Sequence, residues 1–192
     1  LPDLLPLPTD RPRPATQSLR GAVAPFTIDA ELHRRLIATA RERGTTVFMA
    51  MHAAPAILLA RSSGTTDVAV GTPIAGRGEP ELDDMVGMFV GTLVLRTEVD
   101  GHASFPELLH AVRETDLEAF GHADVPFERL VEVLNPARSQ SHHPLFQVML
   151  SVRGERVPAL ELPGLRIEAC DADPGIAKFD LQKDREPQKF GI

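Results

Sequence analysis

The alternation of apolar and polar positions divides the chain into helical and extended stretches after an unusual start. Residues 1–16 hold Pro2, Pro6, Pro8, Pro12 and Pro14. Proline fixes φ and removes a backbone donor, so this stretch reads as an extended linker and not as a core element. Leu19 to Ile28 mixes alternating and β-branched residues, which predicts a strand. Asp29 then suits a helix cap, Leu32, Leu36, Ile37 and Ala40 recur at helical spacing, and Gly44 ends the run. Thr45 or Thr46 caps a second helix running towards Arg61. Its Phe48, Met51, Ile57, Leu58 and Leu59 are apolar on more than one side, so it should lie deep, with a kink at Pro55.

Asp67 to Ile74 reads as a buried strand, and Gly71, Pro73, Gly76 and Gly78 break the pattern into a loop. Val90 to Val99 predicts another strand. Ser104 caps a helix with Phe105, Leu108, Leu109, Val112 and Phe120 on one stripe. Asp124 and Pro126 suit the start of a short helix that turns Phe127, Leu130, Val131 and Leu134 inward. Leu145 to Val152, Leu165 to Ala169 and Ala177 to Leu181 are further strand candidates. Strands and helices mix without strict βαβ alternation, which implies α/β or α+β architecture: a mixed β-sheet covered by helices.

Composition narrows the function classes. The 192 residues carry a formal net charge of −7, which argues against a general nucleic-acid binder. A single Cys170 excludes an intramolecular disulfide framework. No apolar run reaches the roughly 18 residues of a membrane span, and the start lacks the pattern of a signal peptide, so a cytoplasmic setting is expected. The lysines Lys178, Lys183 and Lys189 all fall near the end, so residues 182–192 read as an atypical tail: either chance composition in a short polar stretch, or a segment truncated, discontinuous or replaced there.

Self-contained catalytic motifs are missing. There is no GxSxG elbow, HExxH pair, phosphate loop or strand-linked GxGxxG. His142 and His143 are adjacent, but neighbouring side chains on extended backbone point to opposite faces and cannot easily share a metal. No metal site is expected. His122, Asp124 and Glu128 form either an acid–base cluster or, more simply, a helix start with a cap and a favourable dipole charge. Arg34, Arg35, Arg41 and Arg43 read as a solvated helix face, with docking of an acidic partner as the alternative.

Ordered motifs say more. LPLPTDRPRP, GTPIAGR, VGMFVGTLVLR and HADVPFERLVEVLNPARSQSHHPLFQVML resemble, in this order, the C-terminal half of a nonribosomal peptide synthetase condensation domain. Gly87, Phe89, Val90, Thr92 and Arg96 match the family's G-x-F-V-N-T followed by Arg, with Gly91 in place of the usual Asn. His122, Asp124, Pro126, Phe127 and Glu128 match H-x-D-x-PFE, and Arg138, Ser141, Pro144 and Leu145 match R-x-x-S-x-x-PL. Gly71 to Arg77 resembles the entry to the loop forming part of the tunnel floor, and Ala177 to Leu181 resembles the AKFDL strand.

The resemblance implies one lobe of a two-lobed fold like that of chloramphenicol acetyltransferase. Residues 1–16 would then be the inter-lobe linker and 17–181 the C-terminal lobe. The parent forms amides between aminoacyl or peptidyl groups held as thioesters on carrier proteins by phosphopantetheine. The HHxxxDG motif, whose second histidine positions or deprotonates the amine, belongs to the family's N-terminal lobe and is not among these residues. No catalytic residue is therefore expected in this chain and no cofactor bound by it. Gly71, Thr72, Arg77, Gly87, Phe89, Gly91, Thr92 and Arg96 become candidates for tunnel wall or lobe interface. The other matched positions would be structural. Implied partners are the N-terminal lobe, donor and acceptor carrier proteins and an adjacent adenylation domain. Nucleic acid and membrane are not among them. The alternatives are a non-catalytic relative that recruits a tailoring enzyme and an epimerization-type relative.

Overall fold

The computed structural model describes residues 3–78, 80–152, 165 and 175–185. In these, helices α1 (Ala30–Glu42), α2 (Val47–Ser63), α3 (Phe105–Gly121) and α4 (Phe127–Leu134) accompany strands β1 (Asp67–Ala75), β2 (Val90–Glu98), β3 (Val148–Val152) and β4 (Leu181–Arg185). The strand order is β2-β1-β3-β4. β1 and β2 are antiparallel, with Gly71 opposite Val94, whereas β1–β3 and β3–β4 are parallel. The sheet is thus mixed, as the pattern of elements implies.

Local chemistry explains the helix ends. Asp29 Oδ1 accepts from the Leu32 N–H at 2.7 Å, and Gly44 takes a φ of 63° after α1. Thr46 Oγ1 accepts from the Met49 N–H at 3.2 Å at the start of α2. α2 remains one helix through Pro55 and ends at Gly64 in the left-handed conformation. The Ser104 N–H and hydroxyl both donate to Glu107 at the start of α3.

One face of the sheet carries α2 and α3. Val68 and Val70 of β1 join Met49, Ala53, Ala56, Leu59, Leu108, Leu109 and Val112 in a dry core. As expected, α2 lies deep, although Leu58 faces outward and is 66% exposed. On the opposite face Ala69, Leu145, Phe146 and Met149 form a second, smaller core with Phe127, Leu130 and Val131 of α4.

Five expectations need correction. Residues 19–28 form no strand; the segment makes only an isolated antiparallel bridge between Arg20 and Ile176, through the Gly21 N–H on the Gly175 carbonyl and the Ala177 N–H on the Leu19 carbonyl. Leu145 takes a φ of 67°, which turns the chain and delays β3 to Val148. The strand expected at Ala177–Leu181 instead occupies Leu181–Arg185. Pro126, not Asp124, sits at the N-cap of α4, and no side chain caps that helix. Leu134, read as inward, is exposed. Leu165 lies in a bridge, while the remainder of the Leu165–Ala169 candidate, Cys170 and residues 186–192 lie outside the described residues.

The proline-rich start forms no helix or strand in its described residues, and it is not detached. Leu5 is buried, and its N–H donates to Gln147 Oε1 at 2.8 Å. Gln147 Nε2 donates back to the carbonyls of His143, at 3.0 Å, and Asp3. Further along, Arg13 forms a two-pronged ion pair with Asp180 and donates to the Ser141 carbonyl at 3.1 Å. Proline removes donors from this segment, so side chains anchor it.

Candidate functional site

The tunnel-wall candidates come from β1, β2 and the loop between them, and strand alternation sorts them. Successive side chains alternate between faces, so Gly71, Thr92 and Arg96 share the α4 side, while Thr72 and Gly91 point towards the helix side. Thr72 is buried, and Gly91 lies against Ile74. The eight candidates therefore do not converge on one point.

On the α4 side, cover stops partway along the strands. Phe146 lies directly over Gly71, where an added Cβ would overlap its ring. Phe146 continues into Phe127, His143 and Phe179, with centroids at 5.7, 4.5 and 5.4 Å. Beyond Gly71 the same face bears Pro73 and Ala75 opposite Thr92 and Val90, and Val90 is 70% exposed. These positions form a bare strip of small and apolar residues. At the other end of this face, on the far side of Gly71, Arg96 grips Asp67 with two hydrogen bonds of 2.9 and 2.7 Å, which hold the Asp67 carboxyl below the usual carboxylate range.

The strip leads into the loop of residues 80–89. Arg77 Nη1 donates to the carbonyls of Leu82 and, at 3.2 Å, Asp83, and its Nη2 donates to the Met85 carbonyl at 2.7 Å. The guanidinium lies 4.2 Å from the centre of the Phe89 ring, a geometry favourable for cation–π attraction. The Gly76 N–H meets the Phe89 carbonyl at 2.5 Å, and Gly87 lies against the same ring. Arg77, Gly87 and Phe89 thus do come together. Met85, Val86 and Met88 stand 53%, 102% and 94% exposed.

The matched structural positions lie elsewhere. His122 follows the end of α3, with its N–H on the Ala119 carbonyl at 3.1 Å, and its carbonyl accepts from Val125. Asp124 and Glu128 are exposed, without a hydrogen bond drawing the three into an acid–base cluster. Phe127 stacks on His143 at 5.4 Å. Ser141 donates its N–H to Ser139 Oγ, Arg138 lies exposed in the same loop, and the Pro144 carbonyl accepts from both Phe146 N–H and, at 2.9 Å, the His143 ring. Burial among phenylalanines lowers the His143 pKa, against the raising effect of the Pro144 and Phe146 backbone. His142 and His143 do not converge on a common partner. No group of three or more His, Cys, Asp or Glu among the described residues is placed to hold a metal, and no described helix is long and apolar enough to cross a membrane. The α1 arginines are exposed, and Arg34 pairs with Glu31 at 2.5 Å.

Sequence reading missed one buried polar constellation. His52 of α2 places Nδ1 2.9 Å from Asp116 Oδ1 on α3, and Nε2 3.4 Å from Thr97 Oγ1 on β2. All three residues are buried, and Asp116 Oδ2 has no hydrogen-bond partner among the described residues. Both ring nitrogens are satisfied when Nδ1 carries the proton and Thr97 donates to Nε2, which leaves Asp116 Oδ2 as the unpartnered atom. Enclosed in the helix-side core, it offers no surface to a substrate. Its signal was available: Asp116 falls on the Leu109–Val112 stripe of α3, where a charge needs a partner. Gln147 and Arg13, which anchor the N-terminal segment, gave no comparable periodic signal.

Comparison with known proteins agrees with the motif resemblance. The model of the condensation-domain family matches residues 1–188. A probable non-canonical nonribosomal peptide synthetase of Salinispora arenicola is 48% identical over 181 residues, covering 94% of this chain but 2% of that protein. A dimodular nonribosomal peptide synthase of Bacillus subtilis is 49% identical over 181 residues, covering 94% of this chain and 8% of that protein. Among solved structures, the X-domain from teicoplanin biosynthesis is 32% identical with a TM-score of 0.89, covering 98% of this chain and 43% of that one. The chain thus spans a small part of these synthetases and less than half of the X-domain. On the family match and these identities, this chain belongs to the condensation-domain family of nonribosomal peptide synthetases.

Proposed function

We propose that this chain is the C-terminal lobe of a condensation domain and supplies one wall of a substrate tunnel and one side of a lobe interface. In the reaction, an amine nitrogen attacks a thioester carbonyl. The C–N bond forms, the C–S bond breaks, and the carrier is released as a thiol with the proton removed from the amine. The observation that carries the reading is the bare strip of Pro73, Ala75, Val90 and Thr92, continuous with the exposed apolar loop. Apolar residues left uncovered on a sheet face suit contact with another surface. The strip's small residues also suit a phosphopantetheine arm brought by a carrier protein: Pro73, Ala75 and Thr92 would line it. That arm supplies the activated thioester, and this lobe would hold and orient the chain, which favours acyl transfer by proximity. Donor and acceptor carriers, the N-terminal lobe and an adenylation domain are the partners this reading requires, in the cytoplasm.

The test is amide formation from two loaded carrier proteins, followed by mass spectrometry. The chain alone should give no amide. The chain joined to an N-terminal lobe bearing HHxxxDG should give product. Product from the chain alone would contradict the division of labour.

Recruitment of a tailoring enzyme is the second reading. It is favoured by one observation: the X-domain solved in complex with OxyB from teicoplanin biosynthesis is 32% identical with a TM-score of 0.87 over 98% of this chain and 41% of that one. No amide from the joined lobes, together with capture of a tailoring enzyme of the same assembly line, would favour it.

A further inference from the structure

The 80–89 loop has almost no core of its own. Its side chains are mostly exposed, and only Leu82 and Phe89 are partly covered. Such a loop would ordinarily sample many conformations, because ordering each residue costs roughly 1–2 kcal/mol of backbone entropy. Here a short 3-10 turn at Pro80–Leu82, with the Asp83 and Met85 N–H groups on the Pro80 and Leu82 carbonyls, starts the loop, and one side chain gathers it. The Arg77 fork takes the carbonyls of Leu82, Asp83 and Met85, and its flat face rests on Phe89. The Gly76–Phe89 backbone bond closes the base of the loop. With its base fixed, the loop presents Met85, Val86 and Met88 outward, with Glu81, Asp83 and Asp84 exposed beside them.

We infer that Arg77 is a positioning residue that holds the 80–89 loop as an apolar prong with an acidic collar, shaped for an apolar recess rimmed by basic side chains on the facing N-terminal lobe. The purpose of the prong rests on the lobe-interface reading above; the positioning role does not. Arginine suits the task because its planar fork serves several carbonyls at once while stacking on a ring, whereas lysine offers a single point charge. Methionines at the tip adapt to the surface they meet. The acidic collar supplies charge complementarity to a basic rim and so sets register more than strength.

The experiment compares the 192-residue chain with its Arg77→Met and Arg77→Lys variants. Amide hydrogen exchange is read on peptides covering 80–89 and on peptides covering α2, alongside thermal unfolding. Arg77→Met should speed exchange in 80–89 by about tenfold or more, because those carbonyls and the ring lose their common partner. Arg77→Lys should restore only part of the protection. α2 exchange and the unfolding midpoint should stay unchanged in both. Unchanged exchange in 80–89 overturns the assignment. Equal loosening of α2, or loss of folding in both variants, also overturns it, since Arg77 would then support the whole lobe. Binding to a separately expressed N-terminal lobe is the second readout. Weaker binding of Arg77→Met with an intact α2 supports the prong. Loosening with unchanged binding leaves Arg77 positioning the loop but overturns the lobe-interface reading.

Discussion

The two faces of the sheet differ in what they leave uncovered. On the helix side, α2 and α3 bury Val68, Val70, Leu93 and Leu95 and enclose even the polar trio of His52, Asp116 and Thr97. On the other side, α4 and the Phe127–His143–Phe146–Phe179 cluster cover the strands only as far as Gly71, and the strip beyond lies open. The same two strands therefore serve a finished core on one face and an unfinished surface on the other. Burial on the first face holds the lobe together. Exposure on the second, at a cost in apolar surface left in water, gives the lobe something to present.

That contrast breaks most readily at Asp116. Asp116→Ala should destabilise the chain by about 2–3 kcal/mol, since it leaves the buried His52 Nδ1–H without an acceptor. Urea unfolding measures this, and a change below about 1 kcal/mol would show that the trio is not a keystone. Next comes the boundary between covered and open surface. Gly71→Ala should cost about 1–3 kcal/mol, because its Cβ would overlap the Phe146 ring. Gly78→Ala, where an added Cβ meets nothing nearby, is the control for the generic effect of replacing glycine.

Acid should loosen the second face selectively. Burial lowers the His143 pKa in the folded chain, so the unfolded chain binds the proton more readily. Stability is then fully present above the ordinary histidine pKa near 6.5 and falls as pH drops below it towards the lower folded value. His143→Gln should flatten that part of the stability–pH curve, and an unaltered curve would remove His143 from the account. The smallest effect belongs to the exposed Arg96–Asp67 pair: Arg96→Ala should change stability by about 1 kcal/mol or less, with salt narrowing the difference.

Periodicity found the helices well because their caps and stops are written locally, at Asp29, Thr46, Ser104 and Gly64. It also found β1 and β2, whose apolar alternation is long. It misplaced elements where distant contacts decide. Leu19–Ile28 has strand-like residues, but its bonds go to residues 175–177 as an irregular crossing. Leu145 is an apolar residue in a strand-like run, yet its positive φ sets the turn that brings Phe146 over Gly71. The candidate site was legible as motifs but not as a surface. Motif order carried the family, whereas the separation of Thr72 and Gly91 from Gly71, Thr92 and Arg96 required the register of β1 against β2. The role of Arg77 depended on three carbonyls of a loop whose path no local pattern specifies.

Hydrogen exchange of the chain with and without a separately expressed N-terminal condensation lobe tests the central claim most directly. The account predicts new protection confined to residues 73–75 and 82–92, with α2 and α3 unchanged. Protection confined to the helix side, or none at saturating N-terminal lobe, would contradict the assignment of the open strip as the lobe's working surface.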